Sequence, residues 1–360
     1  MKTLTTILVS IFFVSIAFAQ DAMKEIKITK EWKLNPNATF ELSSEKENVT
    51  VEFWDKDVVK IDFILKTNKS SMTKEDFEAM IEVNATNSSN KLHVRTNIDI
   101  DKSTSIWNWI VKTKDKITKS AQYEENSIVY LPRNLAQLNI NLDYSDLKMG
   151  EINVPLKLSS NYSDVSILRN YSRSVISSSY SDMILGNFSH LKLNSTYGDF
   201  SIDNIDTLIS TTSYCDIKLT SCSFGQSLST NYGDISIQKA SYIKAAASYS
   251  DLSIKALQQE LNAILTYSDL SIDDVAKSIK GITITSTYSD NKIKINPENP
   301  INIKINDVNG DINIKNPRLQ LNIQKNESGT VSNITAKSKT ATDASPTIKI
   351  NSNNSDIIIY

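Results

Sequence analysis

Between Leu138 and Ile295 the apolar residues fall into columns that repeat nine times around one short phrase: Tyr, a small residue, then Asp. The phrase stands at Tyr144-Ser145-Asp146, Tyr162-Ser163-Asp164, Tyr180-Ser181-Asp182, Tyr197-Gly198-Asp199 and Tyr214-Cys215-Asp216. It returns at Tyr232-Gly233-Asp234, Tyr249-Ser250-Asp251, Tyr267-Ser268-Asp269 and Tyr288-Ser289-Asp290, with successive tyrosines 18, 18, 17, 17, 18, 17, 18 and 21 residues apart. Aligned on Tyr, the positions six and four before it are mostly apolar, as in Leu191 and Leu193, and the position two before is mostly small. That alternation is the period of a half-buried strand.

After the phrase the parity changes. The positions three and five beyond Tyr are apolar except at Asn291, as in Phe200 and Ile202, and so is the position eight beyond in the first eight coils, with Asn170 the exception. A change from even to odd carries side chains to the opposite face unless the chain bends, so the phrase reads as a corner between two strands. A unit this short cannot bury its own apolar face and must stack on its neighbours. The predicted fold is therefore all-β, a β-solenoid of 17–18-residue coils. With a strand spacing of roughly 4.8 Å, nine coils make a rod about 45 Å long.

The flanking segments complete the expected layout. Residues 1–19 read as a signal peptide, with Lys2, an apolar run from Ile7 to Ile16, and Ala17-Phe18-Ala19 as the cleavage site. Residues 20–135 form an N-terminal β region in which Thr73 and Asp76 suggest a capping box for one short helix, Thr73–Val83. Inside it lies an insertion, 100–122, carrying Trp107 and Trp109 ahead of a Lys-rich tail. It reads either as a cap on the rod or as an exposed patch that docks a partner or a membrane surface. Residues 136–295 are the regular repeats. Residues 296–360 are degenerate repeats and a cap, with Asn309-Gly310-Asp311 and Asn354-Ser355-Asp356 as corners in which Tyr has become Asn, and a polar stretch, 325–345, reading as a mobile loop.

The repeat phrase resembles that of the bacterial putative-adhesin family, exported β-solenoids of unknown function. Val49-Thr50-Val51-Glu52-Phe53-Trp54-Asp55-Lys56-Asp57-Val58 is similar to the family's opening, and Val129-Tyr130-Leu131-Pro132-Arg133-Asn134 to its lead into the repeats. The resemblance implies an exported β-solenoid that carries an adhesin label.

Composition adds exclusions. A formal charge of −2 gives nucleic acid no basic surface. His93 and His190 are the only histidines, and no catalytic motif, phosphate loop or clustered Cys/His set is present, so no catalytic residue, cofactor or metal is assigned. The Asp column recurs identically in every coil, which marks a structural role such as an Asx-turn at each corner rather than an active site. The Tyr column reads as a buried or corner-packed ladder; if its rings lie outward, they form a stripe for a sugar or a protein partner. Cys215 and Cys222 are either a disulfide, possible in an exported protein, or two inert small residues. The leading functional expectation is a non-catalytic, adhesin-like binding or scaffolding protein of the cell envelope or surface, its partner an unknown protein or glycan, with no transmembrane span. The alternatives are a periplasmic sensor coupled to a membrane partner and, with least support, a glycan-active enzyme.

Overall fold

The structure is a computed structural model and describes residues 23–99, 123–315, 322–328 and 330–360. The segment read as a signal peptide, 1–19, and the insertion with Trp107 and Trp109 lie outside the described residues.

From Gln137 onward the chain winds in coils whose strands pair in parallel with those of the next coil. Ile167 pairs with Leu185, Leu185 with Ile202, and Ile202 with Leu219. Each apolar column thereby becomes a continuous internal ridge. Ile202, Ile237 and Ile254 are fully buried, as are Leu208, Leu193 and Phe188 of the other columns. Asn170, the polar member of the eighth-residue column, is buried too. Its amide donates to Val154 O and Ser174 Oγ and its Oδ1 accepts Ser172 N–H, so it braces a turn from within.

The coil ahead of the first Tyr phrase lacks it. Strands Thr39–Glu45 and Asn48–Trp54 pair in parallel with Gln137–Asp143 and Leu147–Ile152, with Lys46 at the corner. The intervening chain builds the N-terminal end of the rod. Val58–Thr67 runs antiparallel to both Tyr123–Pro132 and Lys24–Lys33, and Ile81–Asn87 runs antiparallel to Lys91–Ile98. The helix there spans Lys74–Met80, capped by the reciprocal Thr73–Asp76 bonds, and buries Phe77 and Met80. It is shorter than the pattern predicts because Ile81 already takes an extended backbone and begins the next strand.

The opposite end departs from chain order. Strand Thr347–Asn353 inserts between Gly281–Thr287 and Asn302–Val308, and Ile357–Ile359 likewise lies between Asn291–Ile295 and Ile312–Ile314. Val331–Lys337 then pairs antiparallel with Asn302–Val308, and Asn322–Ser328 with Val331–Lys337. Much of the polar stretch read as a loop is thus a hairpin. Alternating short polar and apolar residues such as Ile334 and Ala336 suffice for a strand once a neighbour supplies the backbone partners.

Candidate functional site

The corner phrase has an unusual backbone. All nine tyrosines adopt left-handed φ values between 50° and 58°, a conformation that side chains larger than Gly or Asn rarely take. Lys46, Asn309 and Asn354 occupy the same conformation in the coils without Tyr. This single left-handed residue produces the parity change seen in the sequence. It also turns each Tyr away from the core. The rings are 42–56% exposed, against the buried reading.

Outside the core, the tyrosines stack. Neighbouring rings are 4.8–5.0 Å apart between centroids and within 2–11° of parallel, from Tyr144 through Tyr288. Stacking at this distance contributes about 0.5–1.5 kcal/mol per pair and offsets the left-handed strain, which costs a similar amount. The stack has a chemical consequence. Each internal ring has both faces covered by its neighbours, so the ladder offers edges and hydroxyls to solvent, not faces.

Two further ladders flank the rings and satisfy the corner's backbone. On the core side, Ser145 N–H donates to Ser163 Oγ at 2.9 Å, and Ser163 N–H to Ser181 Oγ at 3.1 Å. Each serine hydroxyl in turn donates to the carbonyl two residues earlier, as Ser250 does to Ser248 O. Gly198 interrupts this row. There Ser181 N–H donates to Tyr197 O instead, and a Cβ at Gly198 would sit 2.2 Å from Ser181 O. On the solvent side the bonds run the other way: Asp164 N–H donates to Asp146 Oδ1, Asp234 N–H to Asp216 Oδ1, and Asp251 N–H to Asp234 Oδ1.

The Asp acceptors therefore serve the adjacent coil rather than their own turn, which corrects the Asx-turn reading. A local turn bond is the only option visible in one coil; stacking supplies another. Aligned side by side, Asp146, Asp164, Asp182, Asp199, Asp216, Asp234, Asp251, Asp269 and Asp290 form a row of carboxylates, exposed except at the half-buried Asp216 and Asp290. Among the described residues no group of three or more His, Cys, Asp or Glu side chains is placed to hold a metal ion. Replacing Asp234 with Asn keeps the acceptor oxygen and is expected to leave thermal stability nearly unchanged. Asp234→Leu strands Asp251 N–H at an exposed corner and is expected to cost about 1 kcal/mol. Thermal melts of both variants, with and without a chelator, check this; a chelator-sensitive wild type would contradict it.

The two cysteines are both free and buried, and burial pushes the Cys222 thiol up to about 12. Cys215 fills the serine position, with Sγ 3.1 Å from Ser213 O. No disulfide links them.

One feature escapes the periodic reading. Aligned backward from Tyr232, Gln226 falls in an apolar column, but in the structure Gly225 pairs with Leu208 and takes that buried place. Gln226 is extruded, and the register shifts on both faces of its strand. Beside it Phe224 is 50% exposed and stacked on Tyr242 at 4.9 Å.

A rod of parallel coils with side-chain ladders along its corner defines a β-solenoid repeat protein. The sequence model of the Toastrack DUF4097 family matches residues 37–299, and the chain belongs to that family. Similar solved structures include a putative adhesin from Bacteroides fragilis, 11% identical, covering 93% of this chain and 97% of the other with a TM-score of 0.29. Two from Parabacteroides distasonis each cover 74% of this chain and 97% of their own. One is a putative adhesin, 10% identical with a TM-score of 0.32; the other is a putative lipid binding protein, 12% identical with a TM-score of 0.31. No curated protein matches.

Proposed function

We propose that the protein is a non-catalytic, exported, adhesin-like rod that binds or scaffolds at the bacterial cell envelope or surface, and that the tyrosine ladder is its contact face. One observation carries this reading: nine tyrosines occupy left-handed positions where Asn309 and Asn354 show that a residue better suited to that backbone serves the corner equally well. Corner geometry alone therefore does not account for Tyr. What Tyr adds is a continuous, half-exposed aromatic edge, and aromatic residues with a polar tip are enriched where proteins meet partners. Because the ring faces are sealed, a flat protein surface fits the ladder better than a stacked sugar does. The division into a signal segment 1–19, an N-terminal region 20–135, repeats 136–295 and a C-terminal region 296–360 belongs to the same proposal. Among the described residues no helix is long and apolar enough to cross a membrane.

The test is a variant with Tyr197, Tyr214 and Tyr232 all replaced by Asn, which retains the corner conformation. Its circular dichroism should match wild type, since stacking lost is offset by strain relieved. Binding of the labelled protein to immobilised extracellular-matrix proteins and to whole bacterial and host cells should fall to background. Equal binding by wild type and variant, or none by wild type, would remove the ladder from the function.

A further inference from the structure

A ligand site on a repeat scaffold shows itself where the repetition is broken, and one such break along the regular coils falls at Gly225-Gln226. The extruded Gln226 opens a concavity of about 460 Å³, within the range of small-molecule clefts, roughly 300–1,000 Å³. Its floor is Phe224. In register on one side of Phe224 is Tyr242, stacked against it at 4.9 Å; on the other side is Thr207. A threonine is too short to cover a phenyl ring. Phe224 thus differs from every internal ring of the tyrosine ladder in presenting an open face.

Thr207 stands at that face and Gln226 beside the ring on the same strand, while Lys244, Glu260 and Asn262 continue the concavity along the coils on the Tyr242 side. The aromatic pair is held from behind. Lys280 Nζ donates to Tyr242 Oη at 2.5 Å and lies 5.0 Å from the ring centroid, and Tyr242 Oη reaches Gln259 Oε1 at 3.3 Å. An open aromatic face with a hydroxyl and an amide at its rim, continued by a groove of polar and charged groups, is the chemistry that recognises one pyranose of an oligosaccharide. The ring's C–H face packs on the aromatic and its hydroxyls meet the rim, whereas a purely apolar ligand would leave the rim groups unpaired.

We infer that the cleft over Phe224 is a glycan subsite, taking one sugar residue of an oligosaccharide on the open ring face. The site is separate from the tyrosine ladder and extends the binding reading to a second surface.

The experiment screens the full chain on a glycan array and then titrates the oligosaccharides it retains by calorimetry, using wild type and three variants. Phe224→Ala removes the platform and should weaken binding by up to about tenfold, the equivalent of one stacking contact. Thr207→Phe places a ring over the open face and continues the stack. It should keep or raise the melting temperature and still abolish binding, which a general loss of structure cannot imitate. The variant with Tyr197, Tyr214 and Tyr232 replaced by Asn should bind the same glycan with unchanged affinity. No retained glycan on the array, or undiminished binding by Thr207→Phe, overturns the subsite. Loss confined to the tyrosine variant overturns it as well, and assigns the glycan to the ladder.

Discussion

Ile237→Asp is expected to abolish cooperative folding of the central coils. Ile237 is buried between Leu219 and Ile254 of the adjoining coils. The substitution forfeits about 1.5–3 kcal/mol of apolar burial and forces a carboxylate into the core, at a further cost of several kcal/mol. Whole domains are stable by only about 5–15 kcal/mol. Because coils stabilise one another through nearest-neighbour contacts, the damage should spread first to the Tyr214 and Tyr249 coils and leave the ends last. Hydrogen exchange resolved by peptide should show protection lost outward from residue 237, while Ile237→Val costs only about 0.5–1.5 kcal/mol. A melting curve for Ile237→Asp superimposable on wild type would mean that this column is not the core.

Glu47→Gln is expected to stabilise the protein at neutral pH and to make no difference in acid. Glu47 follows the left-handed Lys46 and so takes the place that Ser145 holds in the adjacent coil. It is buried, with Ser44, Thr96 and Ser127 hydroxyls around its carboxyl and Ser145 Oγ accepting its N–H. Burial pushes its pKa above the ordinary 4.5, and the hydroxyl hydrogen bonds only partly oppose this. The folded protein therefore keeps a proton that the unfolded chain releases. The stability tied to that proton is complete below pH 4.5 and is lost as pH rises through the elevated folded value. Glu125 is shifted the same way, chiefly by burial and in part by Glu47 itself. Glutamine has no proton to lose, so the variant's stability curve should be flatter, parting from wild type above pH 4.5. Urea titrations across pH 4–8 measure the gap; a gap that opens toward acid would reverse the assignment.

Much of the rod is legible in the chain because burial imposes a parity that composition alone cannot hide. Ile202 and Ile254 are recognisable as core from their spacing to Tyr, and the corner from the change of parity after it. The direction of the tyrosines is not legible in this way. A bulky residue at left-handed φ runs against local preference, and only the stacking neighbour, 17 or 18 residues away, makes it tolerable. The Asp bonds stay hidden for the same reason: donor and acceptor belong to different coils. Gln226 is missed because the variation between 17 and 18 residues lies in the turn beyond the eighth-residue column, where counting back from Tyr232 misplaces the extra residue. The insertion of Thr347–Asn353 is illegible because a period gives the spacing of coils and not their order.

The opposed serine and aspartate ladders also bear on how such a molecule varies in size. A typical internal coil offers the following coil a serine N–H and an aspartate oxygen, and the preceding coil a serine hydroxyl oxygen and an aspartate N–H, whereas the two ends are built from unlike antiparallel strands. A duplicated or deleted coil therefore finds matching partners on both sides without altering either end. Reach becomes a quantity that copy number adjusts in steps of roughly 4.8 Å, leaving whatever the ends hold at a separation that gene length can tune.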